Sequence, residues 1–331
     1  MRVLTDFNSY QSKKNRPLIL TIGTFDGVHL GHQRVLDQVC KRACETGGIS
    51  AIITFSEHPM HVLRHKEPPY LITSTPHRLR LLDQLGFDHV FLIKFNKRFS
   101  LQSPRAFVKN ILVDQLNVSE VVLGYDSRFG KNREGRASDM SRFAREFGFK
   151  YFSVPPKLCK GKPISSTEIR SLIQKGEFSN VKQRLNRPYS IIGDVVKGSG
   201  LGRKLGFPTA NLNPHSEALP PCGVYLISLN VVDVKLVKTR VPHCFILRDK
   251  ILKKGLNGLL NIGTRPTVTK GRSSSIVPEI HILDFKGNLY GKILEVIFIK
   301  KIRNEVHFES LGALKKQIKK DILFVDKFKT L

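Results

Sequence analysis

Two histidines three residues apart lie in a glycine frame near the amino end of the sequence. The stretch Gly23-Thr-Phe-Asp-Gly-Val-His29-Leu-Gly31-His32 follows an apolar run at 17–22 and precedes a run with helical spacing. Glycines let a phosphate approach the backbone, and the first turn of a helix offers unpaired N–H groups with a partial positive charge. Two imidazoles on one helical turn can donate to the same phosphate. The pattern therefore predicts a phosphate site made by Gly23, Phe25, His29, Gly31 and His32.

Two later stretches are candidates for the same site. Asp126, in Gly124-Tyr-Asp126-Ser-Arg-Phe-Gly130, comes just past a predicted strand, at the edge where open α/β sheets bind ligands. Ser166, Thr167 and Arg170 open a predicted helix, where hydroxyls, N–H groups and a guanidinium converge on anionic oxygens. Taken alone, Ser165-Ser-Thr-Glu168 favours an ordinary capped helix, because Ser-x-x-Glu is a capping box.

A second group of chemically capable residues lies beyond the middle of the chain. The glycines of Gly198-Ser-Gly200-Leu-Gly202-Arg-Lys-Leu-Gly206-Phe-Pro208-Thr209-Ala-Asn211 follow a predicted strand, and Pro208 argues against a helix here. Gly198, Gly200 and Gly206 therefore indicate a flexible flap over phosphates. In extended chain Thr209 and Asn211 point to one face and offer two oxygens to Mg²⁺. Glu279 lies on a later predicted strand, where a lone carboxylate is usually a solvated edge residue.

The elements that must position these residues change character near residue 186. Apolar runs alternate with helical spacing up to about residue 160, which predicts an open, mostly parallel sheet covered by helices. From residue 189 onward, extended stretches are separated by Gly, Pro and Asn turns, and only 310–324 has helical spacing. We therefore predict an α/β chain with two domains, 1–185 and 186–331, the second an antiparallel barrel with a terminal helix. Residues 235–257 are less regular, and we interpret them as a variable surface loop in preference to a disturbed substrate lid.

The order of these motifs resembles a known family over nearly the whole chain. The histidine frame is similar to that of the nucleotidyltransferase superfamily. Followed by Gly124–Gly130 and Ile164–Arg170, it resembles the adenylyltransferase module of the bifunctional riboflavin kinase/FAD synthetase family. The later motifs resemble the riboflavin kinase module of the same family: Gly198–Asn211, Gly223–Tyr225, Asn261–Thr267, Glu279–Phe285 and Leu289–Gly291.

The resemblance implies two reactions, with ATP, riboflavin and FMN as substrates and FAD as the final product. In the adenylyl transfer, His29 and His32 would donate to phosphoryl oxygens and Arg170 would hold the departing phosphates. His58 matches a position near the flavin phosphate. Ser127 and Ser56-Glu57 depart from the residues common in the family.

The kinase half of the resemblance implies roles for three further residues. Glu279 would serve as base for the riboflavin 5′-hydroxyl. Thr209 and Asn211 would hold Mg²⁺ and the phosphates, so that the metal and the loop N–H groups neutralise the transferred phosphoryl group.

Charge and composition limit the partners. The 331 residues carry a net charge of +28, divided evenly at about +14 in residues 1–185 and about +14 in 186–331. Because a nucleic-acid-binding tail would concentrate its charge, we expect small-molecule substrates and no dedicated nucleic-acid partner. Two alternatives stay open at this point: a nucleotidyltransferase that acts on another phosphorylated acceptor, and a basic RNA-binding protein.

The remaining features predict a cytoplasmic protein. No apolar stretch approaches the ~18 residues of a spanning helix, so we expect no membrane partner, and the first residues lack a secretory-signal layout. Five cysteines without Cys-x-x-Cys spacing predict free thiols in a reducing compartment. His58, His61 and His65 do not have the spacing of a metal site. The sequence leaves the oligomeric state open, a homo-oligomer included.

Overall fold

The computed structural model describes residues 1–12, 15–60, 69–198, 202, 205–264 and 276–329. Contacts within the chain divide it into two compact units. The first unit comprises Met1–Tyr70, Thr75–Ser166 and Lys235–Arg248. The second comprises Leu71–Ser74, Thr167–Val234 and Asp249–Leu331.

The first unit contains a mostly parallel sheet. Its strands are β1 (Arg2–Leu4), β2 (Leu18–Ile22), β3 (Ile49–Phe55), β4 (His89–Ile93), β5 (Val118–Gly124) and β6 (Lys150–Val154). They lie in the order β1-β4-β3-β2-β5-β6, and each neighbouring pair is parallel. A short antiparallel pair, β7 (Leu158–Cys159) and β8 (Lys162–Pro163), follows the last strand.

Helices connect the parallel strands. They are α1 (Leu30–Thr46), α2 (Thr75–Gln84), α3 (Lys97–Ser100), α4 (Pro104–Phe107), which continues as a π-helix over Val108–Gln115, and α5 (Ala137–Phe147). Two short 3-10 turns lie at Phe7–Ser9 and Lys131–Arg133. The alternation of strands and helices predicted for this part of the chain is confirmed.

Local sequence explains the ends of these helices. α1 buries Val35, Leu36, Val39 and Ala43 on one face, and it ends at Gly47, whose φ of 61° is left-handed. At the start of α4 the Ser103 hydroxyl accepts the Ala106 N–H at 3.2 Å, with Pro104 in the first turn.

The strand order creates a switch point beside β2. The chain runs from β2 through α1 to β3 on one side, whereas β5 pairs with β2 on the other side. In open α/β sheets the crevice at such a point, outside the carboxyl ends of the strands, is where ligands bind. Gly23 follows β2 directly and Tyr125 follows β5 directly, so both predicted motifs begin at this edge.

The second unit is built from antiparallel strands and helices. The elements that lie wholly or mostly in it are α6 (Ser166–Lys175), α7 (Phe178–Leu185), β9 (Ser190–Val196), β10 (Ala210–Asn213), β11 (Gly223–Lys238), β12 (Cys244–Thr264), β13 (Ile276–Ile282), β14 (Ile293–Arg303) and α8 (Leu311–Lys329). The strand order is β11-β14-β9-β10-β13-β12, and β11 pairs in addition with β12, so that the neighbours close into a ring. The predicted antiparallel half with a terminal helix is therefore confirmed.

Aromatic packing fills the core of the second unit. Phe178 of α7 stacks on Phe298 of β14 with ring centroids 5.1 Å apart, and Tyr189 and Tyr225 both pack on Phe298 at 5.6 Å. The terminal helix is anchored by Val325, which joins Val224, Leu226 and Leu259 in a buried cluster. Arg303 of β14 also binds the carboxylate of Asp321 in α8 through Nε and Nη2.

The interpretation of residues 235–257 as a loop is wrong. These residues form the end of β11, a turn and the first half of β12, which together are the two longest strands of the described chain. Within the first unit, Cys244–Ile246 pairs antiparallel with β1, so Arg2 lies opposite Ile246. The many exposed lysines conceal the strand pattern, because a solvated two-stranded ribbon need not alternate polar with apolar residues.

No helix among the described residues combines the length and the apolar character needed to cross a membrane.

Candidate functional site

The two predicted histidines meet at the start of α1. His29 is the N-cap residue, and its Nδ1 accepts the backbone N–H of His32 at 3.2 Å. The two imidazoles stack with centroids 3.6 Å apart and planes inclined by 17°. Because Nδ1 of His29 acts as an acceptor, a neutral His29 carries its proton on Nε2, which is then a hydrogen-bond donor.

Two glycines of the frame make room for these rings. A Cβ atom on Gly31 would come within 3.0 Å of His29 Cε1, and one on Gly23 would come within 3.0 Å of the Phe25 ring. Phe25 itself has a φ of 48° and Val28 a φ of 41°, a backbone region that non-glycine residues rarely adopt. Strain of this kind persists where the surroundings enforce it, and it is typical of ligand-binding turns.

The imidazole of His32 is held neutral. Burial, followed by the charges of His29 and Arg78, lowers its pKa well below the ordinary value. The ring also packs edge-on against Phe25, with centroids 5.3 Å apart. Its Nδ1 is buried and makes no hydrogen bond to any described residue. A neutral imidazole has one nitrogen that donates and one that accepts a hydrogen bond, according to its tautomer.

Other predicted residues lie around this turn. The Ser166 hydroxyl donates to the Asp26 carbonyl at 3.0 Å, which ties the first residue of α6 to the glycine frame. Asp126 is exposed two residues beyond the end of β5, as predicted. His58 follows β3, the neighbour of β2, and its Nδ1 accepts the Met60 N–H at 3.3 Å. His61 and His65 lie outside the described residues.

The helix start predicted at Ser166 is confirmed, but the unit division passes through it. Thr167 and Arg170 are grouped with the second unit, whereas Ser166 is grouped with the first. Within the second unit, Glu168 accepts a hydrogen bond from Arg184 of α7 at 2.6 Å. The roles of Thr167 and Arg170 in phosphate binding stay predictions.

The second predicted site is assembled on neighbouring strands. Asn211 of β10 lies directly opposite Glu279 of β13, and Glu279 also lies opposite Asn261 of β12. Directly paired residues of antiparallel strands point to the same face, with Cβ atoms about 5 Å apart. The carboxylate and the two amides therefore share one face of the sheet. Glu279, which is an isolated carboxylate in the sequence, therefore has two amide-bearing neighbours in the sheet.

Two described glycines of the predicted flap lie against Asn211 and Thr209. A Cβ atom on Gly198 would lie 1.6 Å from the Asn211 amide nitrogen, and one on Gly202 would lie 2.8 Å from the Thr209 hydroxyl oxygen. Gly206 has a φ of 90°, which favours glycine. Gly200 lies outside the described residues. The glycines at 198 and 202 are thus required for contact with Asn211 and Thr209.

Two polar residues at these sites were missed from the sequence. Asn261 lies in a quoted motif, but only the strand register places it beside Glu279. Arg78 lies in α2 among several polar residues, a pattern that is typical of a solvated helix face. The structure instead leaves it only 3% exposed, with its charge acting on His32.

The first unit has an imidazole pair after a parallel strand, and the second has a carboxylate beside described glycines. Together these features are typical of a transferase with two reactive sites. Family models agree with this division. The FAD synthetase family matches residues 11–168 and the riboflavin kinase family matches residues 185–329.

Full-length relatives identify the family more narrowly. The chain is 34% identical over 317 residues to the bifunctional riboflavin kinase/FMN adenylyltransferase of Buchnera aphidicola subsp. Schizaphis graminum, covering 96% of this chain and 95% of the relative. It is 32% identical over 328 residues to the protein of that description from Escherichia coli K12, covering 99% and 98%. The chain belongs to the bifunctional riboflavin kinase/FMN adenylyltransferase family, as the resemblance in its sequence predicted.

A solved structure has the same fold. A crystal structure described as a macrolide-efflux protein from Streptococcus pneumoniae superposes with a TM-score of 0.78 at 25% identity, covering 96% of this chain and 97% of that one. The efflux description applies to that protein alone.

Proposed function

We propose that this chain makes FAD from riboflavin in two ATP-dependent steps. Riboflavin is phosphorylated to FMN, and FMN is then adenylylated to FAD with release of pyrophosphate. The observation that carries the proposal is that each unit holds one assembled set of reactive residues. The stacked imidazoles of His29 and His32 lie in the first unit, and the facing Asn211 and Glu279 lie in the second.

The adenylyl transfer is assigned to the first set. The FMN phosphate attacks the α-phosphorus of ATP and pyrophosphate leaves, so the protein has only to orient the reactants and stabilise charge. The Nε2–H of His29 donates to a phosphoryl oxygen, and His32, which is neutral, adds a second imidazole beside it. The N–H groups at the start of α1 favour the negative charge of the phosphates.

Further residues bind the two substrates of this step. Gly23, Phe25 and Gly31 shape the turn against ATP, and Asp126 orients its ribose or base from the end of β5. Ser166, Thr167 and Arg170 hold the departing phosphates. His58 contacts the flavin phosphate. The tie between the Ser166 hydroxyl and the Asp26 carbonyl supports this arrangement, because it fixes the start of α6 to the turn.

The phosphorylation is assigned to the second set. The Glu279 carboxylate accepts the proton of the riboflavin 5′-hydroxyl as that oxygen attacks the γ-phosphorus of ATP. The flap that includes Gly198, Gly200 and Gly206 covers the phosphates. The close approach of Gly198 to Asn211 supports this role, since a larger residue would displace the amide.

Thr209 and Asn211 fit a magnesium ion. A hydroxyl and an amide oxygen beside a carboxylate are the hard donors that Mg²⁺ prefers, and the ion takes few protein ligands. Glycine contacts hold both side chains in place. When bound with ATP, the ion neutralises the charge that develops on the phosphates.

The functional boundary is proposed at residue 185, with the adenylyltransferase in 1–185 and the kinase in 186–331. This division agrees with the family matches at 11–168 and 185–329. We also propose a cytoplasmic location and small-molecule partners.

A product assay tests the proposed function. The protein is incubated with riboflavin, ATP and Mg²⁺, and the flavins are separated by chromatography. FMN should form first and FAD should follow. Absence of both products would refute the proposal. FMN without FAD would instead favour another phosphorylated acceptor for the first site.

A further inference from the structure

The first turn of α2 holds the end of β3 through two hydrogen bonds to consecutive carbonyl groups. Arg78 Nη2 donates to the Phe55 carbonyl at 2.5 Å, and the Thr75 hydroxyl donates to the Ser56 carbonyl at 2.8 Å. The two side chains are themselves joined, because Arg78 Nη2 lies 3.3 Å from Thr75 Oγ1. We call Thr75 and Arg78 the α2 clamp.

The clamped backbone leads directly to the predicted flavin-phosphate residue. Ser56 is two residues before His58, and its N–H is bound to the Ile93 carbonyl of β4 at 3.0 Å. The end of β3 is thus fixed from two sides before the chain turns toward His58. Small backbone displacements at such a position move the following side chain away from its ligand.

The guanidinium of Arg78 is also a buried charge near the histidine pair. Burial lowers its pKa to about 10, an effect that the Asp26 carboxylate opposes. Arg78 is therefore still a cation at neutral pH. Two titratable groups interact with this charge: the Asp26 carboxylate, which is 1% exposed in the glycine frame, and the imidazole of His32, on which His29 also acts. A buried cation costs free energy unless it is paired and hydrogen-bonded, and Arg78 is hydrogen-bonded to the Phe55 carbonyl.

We propose that Arg78 is a positioning residue for adenylyl transfer to FMN. It fixes the end of β3, from which the chain leads to His58, and its buried positive charge lies near the imidazole pair that would meet the phosphates. This proposal rests on the proposed function of the first site. It assigns Arg78 no contact with the reacting atoms.

Two clamp variants separate the geometric role from the electrostatic one. Thr75→Val removes the hydrogen bond to Ser56 and keeps the size and the arginine charge. Arg78→Met removes both the charge and the bond to Phe55, whereas Arg78→Lys keeps the charge. Arg98→Met, at an exposed position of α3, is the matched control.

The first readout is the steady-state kinetics of FAD formation from FMN. Loss of a charge-assisted hydrogen bond weakens an equilibrium constant for binding about tenfold. Arg78→Met should therefore raise the KM for FMN about tenfold and the KM for ATP less. Thr75→Val should raise the KM for FMN by a smaller factor, and Arg98→Met should change neither. Circular dichroism and a cooperative urea transition of each variant report whether the chain is folded.

The second readout is the NMR titration of the His32 imidazole, which needs no catalytic activity. Removing the positive charge in Arg78→Met should raise the pKa of His32, while Arg78→Lys and Thr75→Val should leave it near that of the unaltered protein. If a folded Arg78→Met protein keeps both its KM for FMN and its His32 titration, the proposal is overturned. If the unaltered protein makes no FAD but the titration shifts as expected, the function of the site fails and the electrostatic role of Arg78 stands.

Discussion

Asn211 and Glu279 face each other across β10 and β13, at one rung of the antiparallel strands. Asn211 is 5% exposed, and the Gly198 backbone packs directly on its amide. The predicted base and the predicted magnesium ligand are therefore neighbours, although they lie 68 positions apart in the sequence. The register of the strands brings the two residues together, and Gly198 lies against Asn211.

Gly198→Ala tests the contact between the flap and Asn211. A Cβ at this position would lie 1.6 Å from the Asn211 amide nitrogen, so the amide or the flap must move. Because misplacement by about 1 Å costs about 100-fold in rate, we expect kcat/KM for riboflavin phosphorylation to fall by about that factor. FAD formation from supplied FMN should be unchanged.

Gly312→Ala is the control for this substitution. It lies in α8, and its nearest neighbour to an added Cβ is Ser310 Oγ at 3.8 Å, so the methyl group fits. Equal kinase activity in Gly198→Ala and Gly312→Ala would show that the close approach to Asn211 has no part in the reaction.

The lowered pKa of His32 predicts how stability depends on pH. The folded protein keeps this imidazole neutral, whereas the unfolded chain takes up a proton below about pH 6.5. The unfolded state therefore binds more protons, and acid should reduce stability by up to about 1.4 kcal/mol per pH unit below that point. Urea unfolding at about pH 7.5 and at about pH 5.5 measures the loss.

His32→Gln should lose less stability than the unaltered protein over the same pH interval, because glutamine does not titrate. His307→Gln, at an exposed position, should behave like the unaltered protein. The same acid-induced loss in His32→Gln and in the unaltered protein would contradict the neutral state of His32.

The ion pair between Arg303 and Asp321 should anchor the terminal helix. Asp321 is 4% exposed and accepts hydrogen bonds from Arg303 at 2.9 Å and from Gln317 at 2.8 Å. Asp321→Asn leaves the arginine without its anion, and breaking a buried pair in this way costs about 3 kcal/mol. The measurement is the free energy of unfolding from urea titrations, with the exposed Lys320→Gln of the same helix as the control. A change of equal size in both variants would argue against an anchoring role.

Sequence reasoning found what is local and missed what depends on distant pairing. The spacing of His29 and His32 and the proline at the start of α4 are local signals, and each element lies where it was predicted. The ribbon of β11 and β12 gave no such signal. Many of its residues between 235 and 254 are exposed. One part of it pairs with β1, although Arg2 and its partner Ile246 lie 244 positions apart in the sequence. Propensity within a window cannot show such a partner.

The candidate sites divide in the same way. The resemblance supplied the candidate residues, but the neighbourhood of Glu279 became visible only through the strand register. Arg78 was missed because a helix with several arginines is normally solvated, and only packing against β3 shows that this one is buried. Burial of a charge is a tertiary property that spacing does not reveal.

The central claim is that the two reactions use separate residues, and a crossed assay tests it most directly. Glu279→Gln and His32→Ala are each given ATP and Mg²⁺ with either riboflavin or FMN, and flavin products are separated by chromatography. Loss of a general base lowers the rate by about 100-fold or more. Glu279→Gln should therefore make little FMN from riboflavin but convert supplied FMN to FAD, and His32→Ala should accumulate FMN without FAD. Loss of both reactions in either folded variant would contradict the account.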